Sequence, residues 1–312
     1  MEAESVYYYL YNIAIVFIIY YLLIIIADRI LEFFIYKPKL IDFDKYQNLN
    51  TKTSNLIDLY TINNEMISAV EIYPEPIDIP KDLSDDNFST EFIDINIHSK
   101  DLSDNKFSTE SINIHPTKCI IYTHGNSGNI TGKMRYLRNI SNQLQAYVIA
   151  YDYVGYGLSE QKRPTEQRCY DSLTCVVEYV INIKKISKDN ICLVGRSLGT
   201  GVVVDYAYSQ SWTTPIILVS PYKSICTIKV NTRIPIPFDK YTSYKKIEKL
   251  KCPIKIFHGD KDTLIKISHG IDLYRRITNK HFEAIWLSDV GHTKIMKHVT
   301  ADHYRDVFIY KN

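Results

Sequence analysis

Hydrophobic and polar positions divide the chain into three regimes. Residues 6–27, "VYYYLYNIAIVFIIYYLLIIIA", carry no charge at all. As a helix this run reaches about 33 Å, enough to cross a hydrocarbon core. Tyr7, Tyr8, Tyr9 and Tyr11 crowd one end, as an interfacial aromatic belt does. From Lys118 onward short apolar runs alternate with longer amphipathic stretches. The runs are "CIIYT", "AYVIAYD", "NICLVG", "PIILVS", "PIKIFHG" and "EAIWLS"; between them lie "GKMRYLRNISNQLQ", "EQRCYDSLTCVVEYVINIKKI" and "SLGTGVVVDYAYSQ". Apolar strands alternating with helices predict an α/β fold: a mostly parallel twisted sheet with helices on both faces, preceded here by an N-terminal transmembrane helix. Its ligand site is expected at the carboxyl ends of the strands.

The region between is mixed. Residues 56–74, "LIDLYTINNEMISAVEIYP", read as two extended runs joined at Asn63-Asn64, a hairpin signal. Then "KDLSDDNFSTEFIDINIH" (81–98) is followed by its near copy "KDLSDNKFSTESINIH" (100–115). Two polar copies are too few for a solenoid and predict a surface insertion between two strands. The expected organisation is an anchor at 1–28, a juxtamembrane linker at 29–53, in which "EFFIY" lies on the bilayer surface, and one domain at 54–312 with the duplicated insertion at 81–115.

The flanks orient the anchor. No side-chain cation precedes the span, whereas Arg29, Lys37, Lys39 and Lys45 follow it, which predicts a single pass with the domain in the cytosol. The acidic start "MEAES" and the lack of a small-residue cleavage pattern argue against a signal peptide. A glycan on the sequon Asn129-Ile130-Thr131 would obstruct the site argued below, which also favours the cytosolic side.

Composition adds exclusions. A formal net charge of +2 gives no basic face for a general nucleic-acid binder. The six cysteines, Cys119, Cys169, Cys175, Cys192, Cys226 and Cys252, contain no C-x-x-C pair and mostly sit in apolar runs, as buried thiols do. No cofactor or metal is expected; the aspartates of the repeat do not make a convincing calcium loop.

Only 11 glycines occur in the chain, and three crowd one serine in "ICLVGRSLGTGVVV", residues 191–204. Gly195-x-Ser197-x-Gly199 follows a predicted strand and opens a predicted helix, the context of a nucleophile elbow. By chance the pattern arises in about one such sequence in forty, so its companions matter. "YTHGNSGN" (122–129) follows the first core strand, and a turn there presents the N–H of Asn126 or Ser127 alongside that of Leu198 as an oxyanion hole. His124 in it reads as a structural side chain. "FHGDKDTLI" offers Asp260 and Asp262, and "LSDVGHT" offers His292. The chemistry needs each type: a hydroxyl is a weak nucleophile until a base takes its proton, imidazole does so near neutrality, and a carboxylate fixes the imidazole's tautomer.

In "THGNSGN", "YDYVGYGLSE", "GRSLGTG", "PFDKY", "CPIKIFHGDKDTLIKISHG" and "DVGHTK", in this order, the chain resembles the α/β-hydrolase-domain (ABHD) serine hydrolases over about residues 55–312, nearest to the membrane-associated protein depalmitoylases. The resemblance implies the α/β-hydrolase fold, with Ser197 as nucleophile, Asp262 as acid and His292 as base; Asp262 is preferred to Asp260 by its spacing from Ile265. It makes Asp152 part of a structural turn, and Asp289 reads as a solvated neighbour of His292. The depalmitoylase branch carries a cysteine-rich lipidated N-terminus, which a hydrophobic span replaces here. No large cap fits between Val219 and Asp262, although "NTRIPIPFDKY" can form a small apolar rim. The implied reaction is hydrolysis of acyl esters or thioesters, with an acylated protein or lipid as substrate. The alternatives are a monoacylglycerol or lysophospholipid esterase and a catalytically inactive membrane scaffold.

Overall fold

The computed structural model describes residues 2–39, 41–76, 116–230 and 236–309. The duplicated insertion at 81–115 and residues 231–235 of the expected apolar rim lie outside them.

Eight strands form one sheet: β1 (Ser54–Tyr60), β2 (Met66–Ile72), β3 (Cys119–Thr123), β4 (Tyr147–Tyr151), β5 (Ile191–Arg196), β6 (Ile216–Val219), β7 (Ile254–Gly259) and β8 (Ile285–Leu287). The helices are α1 (Glu2–Ile35), α2 (Phe43–Gln47), α3 (Met134–Leu144), α4 (Glu166–Glu178), α5 (Leu198–Ser209), α6 (Ile225–Lys229), α7 (Ser243–Lys246), α8 (Ile267–Arg276) and α9 (Ala301–Ile309). The strand order is β1-β2-β4-β3-β5-β6-β7-β8. β1 and β2 form the expected hairpin, with Asn64 at φ 55°, and β2 lies antiparallel on β4; the pairs from β4 through β8 are parallel.

Side chains alternate across each strand, so a sheet covered on both faces has two cores. Cys119, Ile121, Leu193, Ile216 and Leu218 pack on one face, with Val176 of α4 and Val203 of α5. Ile120, Tyr122, Val194, Ile217 and Val219 pack on the other, with Leu137 of α3 and Tyr304 of α9. That double burial explains the unbroken apolar runs. All six cysteines are free thiols, and all but the half-buried Cys175 are buried.

α1 is long and apolar enough to span a membrane: within Tyr7–Ile35 the most apolar window has a mean hydropathy of 2.6 and is wholly unburied. The helix does not stop at the last uncharged residue. Residues 29–35 continue it, because neither Gly nor Pro interrupts the chain before Pro38. In "EFFIY", Phe33 and Phe34 point outward, but Glu32, Ile35 and Tyr36 are buried against the sheet domain.

The order reverses at β3: the chain passes from β3 to β4 on one side, then returns to place β5 on the other. The carboxyl ends of β3 and β5 therefore flank the crevice where an open α/β sheet binds ligands.

Candidate active site

At the end of β5 the chain turns sharply into α5, and Ser197 takes the strain, with φ 51° and ψ −118°. A Cβ on Gly195 would lie 2.6 Å from the carbonyl oxygen of Gly199, and one on Gly199 would lie 2.3 Å from that of Thr123. Both glycines are thus forced by close backbone approach. The turn leaves the Ser197 hydroxyl above the sheet, at the start of a 12-residue helix whose dipole favours negative charge there.

The loop after β8 brings His292 to it. Nε2 of His292 is 3.0 Å from Ser197 Oγ, and Nδ1 is 2.7 Å from Asp262 Oδ2. The carboxylate only accepts, so Nδ1 carries the imidazole proton and Nε2 is free to accept from the hydroxyl. Oδ1 of Asp262 accepts from the N–H groups of Leu264 (3.0 Å) and Ile265 (2.8 Å), which fixes the carboxylate after β7. Burial pushes the Asp262 carboxyl up, but the bonds from His292 and Ile265 outweigh it and hold the group below the usual carboxylate range. A hydroxyl, an imidazole and a carboxylate thus stand in one line able to pass a proton from oxygen to nitrogen.

The other acids fall elsewhere. Asp260 accepts from the Asp289 N–H at 2.8 Å, while the side chain of Asp289 is 86% exposed. Asp152 is buried beneath the site, accepting from Tyr46 and from the Ile130 N–H, with burial raising its carboxyl to about 7.

The turn after β3 lies against the serine: a Cβ on Gly125 would be 3.3 Å from the Ser197 Cβ. His124 is buried below, its pKa lowered to about 4 by burial, and its Nδ1 bonds the Gly125 carbonyl at 2.6 Å. In a trans peptide the N–H points opposite the carbonyl. With the Gly125 carbonyl bonded to His124, the N–H of Asn126 in the same peptide points away from His124. Ser127 pairs with Lys37 as an isolated parallel bridge.

Two supporting side chains carry no signal in the sequence. Arg196, the variable residue of the serine motif, sends Nη2 to the His292 carbonyl at 3.1 Å. His258 donates from Nε2 to the Ile265 carbonyl at 2.8 Å, behind Asp262. Neither position is distinguishable from filler until the loops after β7 and β8 are folded over β5. Among the described residues no cluster of His, Cys, Asp or Glu could hold a metal.

No family model matches the chain. An α/β hydrolase of Acanthamoeba polyphaga mimivirus is 38% identical to it over 276 residues, 88% of this chain and 91% of that one. The human alpha/beta hydrolase domain-containing protein 17C is 30% identical over 177 residues, 56% of this chain and 53% of that one, so the chain spans about half the length of this relative. Among solved structures, the esterase Pf2001 of Pyrococcus furiosus superposes with a TM-score of 0.59 at 17% identity, covering 87% of this chain and 96% of its own. A lidless serine hydrolase of Xanthomonas campestris superposes with a TM-score of 0.51 at 14% identity, covering 83% of this chain and 94% of its own. At those identities the structures speak for the fold alone. The mimivirus relative matches nearly end to end, and with it the chain belongs to the α/β hydrolases.

Proposed function

We propose that the chain is a membrane-anchored serine hydrolase that cleaves acyl esters or thioesters through an acyl-enzyme. The observation that carries this reading is the position of His292 between Ser197 and Asp262. Ser197 Oγ attacks the acyl carbonyl and gives its proton to Nε2 of His292. The tetrahedral oxyanion is held by the N–H groups of Leu198 and Asn126. Its collapse expels the alcohol or thiol, which takes the proton from Nε2. Water then attacks the acyl-Ser197 ester, delivers a proton to the same nitrogen, and releases the acid as the proton returns to Ser197. Asp262 keeps Nδ1 protonated throughout and steadies the imidazolium.

The substrate class follows from place. α1 holds the domain at a bilayer, so acyl chains anchored there are within reach, and the motifs resemble those of protein depalmitoylases. S-acylated protein is the substrate this favours. The cations after the span, Arg29, Lys37, Lys39 and Lys45, favour the cytosolic side for the domain.

The test is labelling with a fluorophosphonate probe in membranes, followed by a panel of palmitoyl-thioester peptides, monoacylglycerols and lysophospholipids. Labelled wild type, unlabelled Ser197→Ala and preferential thioester turnover are expected. Folded wild type that resists the probe would make the chain an inactive scaffold. Preferential monoacylglycerol turnover would make it a lipid esterase.

A further inference from the structure

The end of α1 does more than lead into the domain. It is joined to the turn that carries Asn126 both directly and through Tyr156. The Asn126 side-chain amide donates from Nδ2 to the Ile35 carbonyl at 3.0 Å. The Lys37 N–H donates to the Asn126 carbonyl at 3.2 Å. Tyr156 donates its hydroxyl to the same carbonyl at 3.0 Å, and that hydroxyl accepts from the Lys37 N–H at 3.3 Å. Lys37 and Ser127 are paired as a parallel bridge. Asn126 is thus gripped on both its side chain and its carbonyl, partly by Ile35, which ends the anchor helix, and by Lys37 just beyond it.

The helix end is itself fixed by charge. Glu32, buried, pairs with Arg163 at 2.8 Å and Lys240 at 3.3 Å, and Asp28 pairs with Lys240 at 2.6 Å. Arg163 also donates to the Arg29 carbonyl at 3.2 Å. Tyr36 shares a hydrogen bond with Tyr241 at 2.8 Å, both rings being buried. A tether needed only to hold the domain near a membrane would require none of these bonds. Buried charges of this kind are costly unless paired, and here they are paired across the junction.

From this we infer that residues Ile35 to Lys37 are positioning elements of the active site: the anchor's end sets the peptide of Asn126, and with it the oxyanion hole. The inference rests on the hydrolase reading above. Oxyanion donors act through preorganisation, and a shift of a few tenths of an ångström at the N–H weakens a bond that matters most in the transition state. The anchor and the catalytic turn therefore move as one body, so the orientation of α1 fixes the site relative to the bilayer.

Two variants of the full chain in detergent micelles test this with a short soluble aryl ester. Asn126→Ala keeps the main-chain N–H and deletes the bond to Ile35. Lys37→Pro leaves every site side chain in place and deletes the N–H that donates to Asn126. Phe34→Ala, on the exposed side of the same helical turn, is the control. For both clasp variants kcat is expected to fall about tenfold or more, within the range for a compromised oxyanion donor. KM should stay within about twofold, while affinity for a trifluoromethyl ketone transition-state analogue falls with kcat/KM. Phe34→Ala should match wild type. Unchanged kcat and analogue affinity in either folded clasp variant overturns the inference, as does a rise in KM alone. If Lys37→Pro gives no cooperative melt, Asn126→Ala together with Glu32→Gln, which loosens the charged grip on the helix, decides by the same readouts. Failure of wild type to label with fluorophosphonate would sink the hydrolase reading instead, and is scored separately.

Discussion

The guanidinium of Arg196 reaches across from the end of β5 to the main-chain carbonyl of His292, 3.1 Å away. It ties the loop that carries the imidazole to the strand that carries the serine. Substituting Arg196→Gln shortens that reach. We expect kcat to fall about tenfold or more while the melting temperature changes little, because removing a buried cation whose Nε has no partner also relieves a desolvation cost. Steady-state kinetics beside a thermal melt separates the two effects.

Ser197 occupies a backbone conformation that glycine adopts freely. The strain at such a residue is about 1–3 kcal/mol, against which a glycine adds about 0.5–1 kcal/mol of unfolded-chain entropy. Ser197→Gly should therefore be inactive yet more stable than wild type by about 1 kcal/mol. Denaturant titration checks this; a loss of stability would mean that the turn is not strained.

Asp262 fixes the tautomer of His292. In Asp262→Asn the amide can donate to Nδ1, which moves the imidazole proton to Nε2 and leaves nothing to accept from Ser197. The expected loss in kcat is about 10⁴, with KM little changed and the fold intact. Asp260→Asn, whose partner is the Asp289 N–H, should retain most activity.

The glycines divide by what surrounds them. Gly199→Ala drives a Cβ to 2.3 Å from the Thr123 carbonyl oxygen, so the variant should fail to fold or lose activity completely. Gly132 has nothing within 4 Å of a built Cβ, and Gly132→Ala should stabilise by about 0.4–1 kcal/mol with activity unchanged. Expression yield and melting temperature of the pair are the measurement.

His269 is buried, and its pKa is lowered to about 4, first by burial and then by Lys223. The unfolded chain takes up its proton near pH 6.5, the folded chain only near 4, so this residue costs stability progressively as pH falls through that interval. His269→Gln should reduce the pH dependence of stability between those limits by about one proton, and leave it unchanged above pH 7. Melting curves from pH 4 to 8 test the sign.

Much of the fold was legible because its signals are local. Strands buried on both faces are apolar on both, and the runs at 119–123, 147–151 and 216–219 announce themselves that way. A turn where backbones pass this closely must carry glycine, and this glycine-poor chain keeps it at Gly195 and Gly199. The candidates Ser197, Asp262 and His292 could be named because each follows a strand end, although their convergence at 3.0 Å and 2.7 Å is a property of the folded sheet.

By itself the sequence determined the α/β class, the apolar helix at the start, and the residue types that meet at the strand ends, since periodicity and backbone sterics act within a few residues. Only the tertiary structure decided which acid faces the imidazole and that the supposed linker grips the turn bearing Asn126. Those outcomes depend on hydrogen bonds and ion pairs between residues well separated in the chain, such as Asp262 with His292, Ile35 with Asn126 and Glu32 with Arg163, and no local pattern encodes them.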